Sequence, residues 1–297
     1  MENQSPFEKS NNYYKRRIAT LLIFGVFLIF LGRHLTFLPT INLSGKDSNE
    51  KIVAVLGDST KDKTGFYSIY YKDLKTGGAF GIDEKQIQTA TSVNKIPIIA
   101  SLYYLANEAP NLSLDEKVTI TDTDVQDYGT GSIRYQKMPQ VYSLRNLAKL
   151  ALKDSDNTAA HVLSVRIGQD VIQRLVDDWG LAQTDMVNNQ TTAYDMGKLF
   201  EMIYKGKITN EANTNELLEF MTDTDFEDRL SKNLPENVKV YHKTGDGEGS
   251  IHDVGIIDTG NNVYFLGVMT SDVGEAEQET KDTIAEISEK IYKLVIN

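Results

Sequence analysis

The chain has 297 residues, enough for one large domain or two small ones with a sizeable core, and its 40% hydrophobic and 25% charged residues are ordinary globular composition. The net charge of −11 argues against nucleic-acid binding, because an acidic body repels a phosphate backbone. The absence of cysteine excludes disulfides, thiolate metal sites and a cysteine nucleophile.

The charge is uneven. Residues 1–44 carry Lys9, Lys15, Arg16, Arg17 and Arg33 against Glu2 and Glu8, a net +3, which leaves −14 for the rest. Directly after Lys15-Arg16-Arg17 comes Ile18–Leu31, fourteen residues without a charge, and apolar character resumes at Leu35–Leu38. Counted through Leu38 the segment is 21 residues long, and a bilayer core needs roughly 20. This predicts a cytoplasmic head at 1–17, a transmembrane anchor at 18–38 and a linker at 39–49. The basic cluster keeps the head inside and sends the body at 50–297 outside, at the cell surface or in the periplasm. A cleaved signal peptide is the rival, since fourteen apolar residues also fit an h-region, but no small-x-small site follows Leu31.

Beyond the linker, Ile52, Val53 and Leu56 have helical spacing. Gly65–Tyr71 and Ala79–Ile82 read as a hairpin turning at Lys75-Thr76-Gly77-Gly78. From Ser92 to about Leu234 the pattern is helical, over Pro97–Ala106, Leu144–Lys153, Thr158–Ile167, Asp170–Trp179, Ala193–Tyr204 and Glu211–Met221. Thr192 with Asp195 resembles a capping box. Strands return at Val238–His242, Ile251–Asp258 and Val263–Thr270, and Glu275–Ile296 closes the chain as an amphipathic helix. The order predicts an α+β fold. One antiparallel five-stranded sheet is assembled from both chain ends, terminal helices cover one face, and an inserted all-helical subdomain packs on the other.

Three short strings carry chemistry: Ser92-Val93-Asn94-Lys95 at a helix start, Ser155-Asp156-Asn157 between two helices, and Lys243-Thr244-Gly245 at a strand end. Each alone is weak. Ser48-Asn49-Glu50-Lys51 is a second S-x-x-K, and Lys75-Thr76-Gly77 a second K-T-G. The signal is their joint occurrence, in order and in the right kind of element. A serine hydroxyl needs an adjacent base, and residues three apart share a helix face, so Lys95 can reach Ser92. To act as base Lys95 must lose its proton, which burial or a nearby charge such as Lys243 promotes.

Around these strings, Thr91–Ile98, Tyr142–Ala160 and His242–Ile257 resemble the class A β-lactamases and penicillin-binding serine hydrolases. The resemblance runs from about Gly65 to the C-terminus. It implies a β-lactamase/transpeptidase-like fold and a covalent acyl-enzyme on Ser92, with Lys95 as base, Ser155 as proton relay and Asn157 holding the substrate amide. By the same resemblance Lys243, Thr244 and Gly245 belong to the substrate-binding strand, with Lys243 and Thr244 on the substrate carboxylate. The backbone N–H groups of Asp246 and Ser92 would form the oxyanion hole.

Two departures stand out. The family's deacylating glutamate sits on an Ω-shaped loop, but here no glutamate lies between Ser155 and Glu201, and the segment from Asn157 to Thr191 is short. Asp185 is the weak substitute, so acylation without efficient deacylation is expected. Secondly, Asp246 is an awkward neighbour for an anionic substrate, and no arginine lies on Val263–Thr270, which leaves His242 and His252 as lesser carboxylate partners. Tyr128 and Tyr135, in the glycine-rich stretch Asp127–Tyr135, are candidate cleft walls. No H-E-x-x-H or spaced histidine cluster is present, and Asp122, Asp124 and Asp127 miss the calcium-loop spacing, so no metal or cofactor is expected. The sequence therefore predicts a monomeric, membrane-anchored serine hydrolase acting on a β-lactam or cell-wall peptide. A non-catalytic wall-binding module and an esterase or amidase on the same scaffold are the alternatives.

Overall fold

In the computed structural model, which describes residues 45–109 and 111–296, the chain starts with helix α1 (Gly45–Thr60) and strands β1 (Phe66–Asp73) and β2 (Ala79–Ile82). Between those strands the Asp73 carboxylate accepts the backbone N–H groups of Lys75 and Thr76, both at 2.8 Å, and Gly77 takes φ +80°, so this copy of K-T-G is a hairpin turn. A two-residue strand, β3 (Gln88–Thr89), leads into a 3-10 turn (Thr91–Asn94) and helix α2 (Lys95–Glu108). Strands β4 (Lys117–Ile120) and β5 (Gln140–Ser143) pair with each other and precede helices α3 (Leu144–Lys153), α4 (Asn157–Ile167) and α5 (Gln169–Asp178). Strand β6 (Gln190–Thr191) returns to pair with β3, and helices α6 (Ala193–Tyr204) and α7 (Glu211–Glu219) follow. The chain ends with β7 (Lys239–Gly247), β8 (Ser250–Asp258), β9 (Val263–Ser271) and α8 (Glu277–Ile296).

The main sheet has the order β2-β1-β9-β8-β7 with every neighbour antiparallel, so both ends of the chain build it, as the strand pattern predicts. Alternation along β9 shows how it divides two cores. Tyr264, Leu266 and Val268 face α1 and α8, where Ile52, Leu56, Ile284, Ile287 and Ile291 are buried. Phe265 and Met269 face the inserted helices. On α6, a Cβ at Gly197 would stand 2.6 Å from the Tyr70 ring, so glycine is what lets that helix lie close on the sheet. Burying each large aliphatic side chain on these two faces contributes about 1.5–3 kcal/mol.

A helix begins inside the stretch read as linker: residues 45–49 are the start of α1. Polar composition alone does not stop a helix, and no proline interrupts 45–60. The predicted head and anchor at 1–38 lie outside the described residues, and among the described residues no helix is long and apolar enough to cross a membrane. The capping box at Thr192 is half formed. Its hydroxyl accepts the Asp195 N–H at 3.0 Å, but the buried Asp195 carboxylate turns to the N–H of Gln183 and the hydroxyl of Thr184. The strand carrying Lys243 runs on to Gly247 rather than ending at His242.

Candidate active site

Ser92 sits on the 3-10 turn that leads into α2, not within the α-helix itself. Thr91 before it takes φ +50°. The turn lies against β7, and the glycines there explain the fit. A Cβ at Gly245 would stand 2.2 Å from Thr91 Oγ1, and one at Gly247 would stand 2.7 Å from Thr91 Cγ2. Gly245 is thus a close-approach position and does not border the cleft.

Between α3 and α4, Ser155 is held at φ +54°. Asp156 caps α4, one carboxylate oxygen accepting the Ala159 N–H at 2.9 Å and the other the Ile133 N–H at 2.8 Å. The glycine-rich stretch comes in over this turn. Side chains at Gly129 and Gly131 would start 2.4 Å from the Asn157 amide nitrogen and the Asp156 carboxyl carbon. Thr130 donates to the Ser155 carbonyl at 2.7 Å, and the Asn157 N–H donates to the Thr130 carbonyl at 3.1 Å.

A cleft of about 700 Å³ opens between these parts. Ser92, Lys95, Ser155, Asn157, Thr244 and Asp246 line it, and Tyr128 lies on its rim, whereas Tyr135 does not border it. Lys243 lies behind the wall, fully buried, and touches the site through Ser155. Lys95 Nζ is 3.0 Å from Ser92 Oγ, 3.0 Å from Ser155 Oγ and 2.7 Å from Asn157 Oδ1, and it also bonds the Ser155 carbonyl. The Asn157 amide is oriented by donating its Nδ2 to the Tyr128 carbonyl at 3.0 Å, which turns its oxygen to Lys95.

Burial, and then the neighbouring Lys243 charge, push the Lys95 amine down to about 6. At neutral pH it is therefore mostly uncharged, with two N–H donors and one lone pair. Two of its four partners, the Ser155 carbonyl and Asn157 Oδ1, can only accept. They take both N–H groups and leave the lone pair for a hydroxyl. Burial also lowers Lys243, to about 7; its amine donates to Ser155 Oγ and to the Thr244 carbonyl, both at 3.0 Å.

Neither histidine of the last strands reaches the cleft. His242 lies between two carboxylates, Nδ1 at 2.8 Å from Asp253 and Nε2 at 3.1 Å from Glu227. Burial opposes its charge, but the two carboxylates win and raise it to about 10, so both ring nitrogens donate. That folded value lies above the unfolded one of about 6.5, so the triad's stabilisation is complete below that pH and is lost as pH rises through about 10. His252 accepts the Thr270 N–H at Nδ1 and donates from Nε2 to the Thr89 carbonyl, and burial keeps it neutral.

The sequence reading misses Arg229. It is fully buried behind the cleft, Nη2 donating to Asp246 Oδ2 at 2.8 Å and Nη1 to the His252 carbonyl at 2.7 Å. The available signal is composition: one arginine follows Asp223, Asp225, Glu227 and Asp228. Asp185 does not border the cleft. It lines a separate cavity and spends its oxygens on Val187 and Asn188. The cleft floor beside α4 and α5 carries His161, Ser164, Gln169 and Asn189, and Asp246 is the one carboxylate among the described lining residues.

Compared with known proteins, residues 48–295 match a family model described as the beta-lactamase enzyme family. Among curated proteins, beta-lactamase BRO-1 of Moraxella catarrhalis is 25% identical over 215 residues, covering 65% of this chain and 69% of that protein. Beta-lactamase VEB-1 of Pseudomonas aeruginosa is 23% identical over 237 residues, covering 69% and 77%. Among solved structures, PBP-A has a TM-score of 0.76 at 23% identity, over 83% of this chain and 96% of its own. A leucine-to-glutamate mutant of PBP-A, solved as an acyl-enzyme complex with penicillin G, has a TM-score of 0.75 over the same shares, also at 23% identity.

Proposed function

The chain belongs to the beta-lactamase enzyme family, as a β-lactamase-like serine hydrolase, and from that premise we propose that it acylates Ser92 with β-lactams or peptidoglycan-like amides and releases the acyl group slowly. One observation carries the reading: the buried Lys95 amine lies 3.0 Å from Ser92 Oγ, in surroundings that push it down to about 6. As Oγ attacks the carbonyl carbon, its proton passes to Lys95. The C–N bond breaks while a proton moves from Lys95 through Ser155 to the leaving nitrogen, and an ester on Ser92 remains. Asn157 steadies Lys95 and the substrate amide. The Ser92 and Asp246 N–H groups receive the oxyanion, and β7 suits this because it is an edge strand with backbone groups the sheet does not use. The penicillin acyl-enzyme described for the PBP-A mutant is the precedent for such a species on this fold.

Slow release follows from the floor. Hydrolysing the ester requires a base to deprotonate a water on the far side of it, and the floor groups His161, Ser164, Gln169 and Asn189 include no carboxylate. A fluorescent penicillin should label the purified protein to about one equivalent, a stoichiometry expected of covalent catalysis on one serine. The label should vanish in Ser92→Ala and persist in Ser48→Ala. A label that survives Ser92→Ala contradicts the assignment; a folded protein that takes none supports a non-catalytic binding module.

The site belongs outside the cytoplasmic membrane, where peptidoglycan-like substrates are, and residues 18–38 are the proposed tether. Protease added to intact cells should digest the body at 39–297 and spare the head. Full protection of the body, or recovery of a mature soluble form starting near Leu38, would sink this topology.

A further inference from the structure

The end of the cleft beyond Ser155 is where a leaving group must lie, and its charge is unusual for a site read as taking anionic substrates. Thr244 and Asp246 are two residues apart on β7, so they share a strand face, and both border the cleft. The Asp246 carboxylate remains 44% exposed while it pairs with Arg229, whose side chain is fully buried. That guanidinium has no exposed surface to offer a ligand. Nη2 is held by Asp246 and Nη1 by the His252 carbonyl, while Nε, 3.0 Å from an Asp228 oxygen, makes no hydrogen bond and is buried. Lys243 cannot move forward freely either, since its amine is bound to Ser155 and to the Thr244 carbonyl. The protein therefore brings its own carboxylate to this wall and neutralises it with its own arginine. A second carboxylate, delivered by a substrate to the Thr244 hydroxyl, would face a like charge, with no exposed lysine or arginine among the described lining residues to balance it. An uncharged group with N–H donors meets the exposed side of Asp246 as an acceptor and Thr244 as a second partner.

We propose that Asp246, paired with Arg229, is a specificity-determining residue that selects acyl donors whose leaving group ends in an uncharged N–H donor, a carboxamide, rather than in a carboxylate. The inference rests on the acyl-transfer reading above. Two synthetic thioesters of one acyl group test it: one releases a mercapto acid with a free carboxylate, the other the same thiol as its primary carboxamide. In each, the Ser92 Oγ–C bond forms as the C–S bond breaks, and the sulfur leaves as a thiol. A thiol reagent follows release without background, because the protein has no cysteine.

The wild-type kcat/KM should favour the carboxamide by about tenfold or more, the penalty expected for like charges several ångströms apart near a protein surface. Raising the salt to about 1 M should shrink that preference, a result that needs no variant. Asp246→Asn and Asp246→Ser leave Arg229 without its partner, and each should move the ratio toward the carboxylate compound by at least about tenfold. A wild-type preference for the carboxylate, or a ratio unchanged in both variants, overturns the inference and leaves acyl transfer standing. A wild-type protein that reacts with neither thioester overturns both.

Discussion

Lys95→Met should lower the second-order rate of penicillin acylation by roughly 10²–10⁴-fold, the usual cost of losing a general base. Methionine keeps the apolar stem that α2 buries but leaves Ser92 Oγ with no acceptor for its proton. It also leaves the Ser155 carbonyl and Asn157 Oδ1 without a donor from position 95, a loss of about 1–3 kcal/mol in stability, so rates are to be compared at a temperature where both proteins are folded. The pH dependence separates a base from a merely structural amine. Acylation by the wild type should rise as pH passes upward through about 6, where Lys95 loses its proton. The Lys243 charge is the second cause of that low value, after burial. Removing it with Lys243→Gln makes the Lys95 proton harder to lose, so the acid limb should move to higher pH. Near-normal acylation by Lys95→Met, or an acid limb that Lys243→Gln leaves in place, would remove Lys95 as the base.

The second large effect is kinetic. With a chromogenic cephalosporin in stopped flow, the account predicts a burst of about one equivalent followed by a steady state slower by roughly 10²–10⁴-fold, because acylation has a base and deacylation lacks one. Asp185→Asn should change neither phase, since Asp185 lines a different cavity and its oxygens are engaged by Val187 and Asn188. Fast linear hydrolysis without a burst would mean that a group on the floor activates water. His161 would then be the first residue to replace.

What the sequence made legible depended on how local the cause was. The helices Leu144–Lys153 and Ala193–Tyr204 emerge at their predicted bounds because each buries one stripe at helical spacing. The β8–β9 hairpin is as clear, since both strands are β-rich and a glycine turn joins them. The ladders of Gln88–Thr89 with Gln190–Thr191, and of Lys117–Ile120 with Gln140–Ser143, went unread. Strands of two and four residues carry no period, and distant partners set them. Ser92, Lys95, Ser155 and Asn157 were legible as motifs. Their meeting at one amine was not, because it depends on the left-handed turn at Ser155 and on glycines at 129 and 131 that let a loop lie over it. Arg229 was invisible for a related reason. The acidic run before it hints at an ion pair, but it does not announce that the guanidinium is buried or that its partner is Asp246, on a strand further along.

The central claim is a covalent ester on Ser92 that outlives its formation. Its most direct measurement is mass spectrometry of the protein quenched in acid at the end of the burst, with peptides mapped. The account predicts the mass of one opened penicillin on the peptide containing Ser92 at near-complete occupancy, decaying at the steady-state rate and absent from Ser92→Ala. An unmodified Ser92 peptide while product accumulates, or an adduct on any other residue, would contradict it.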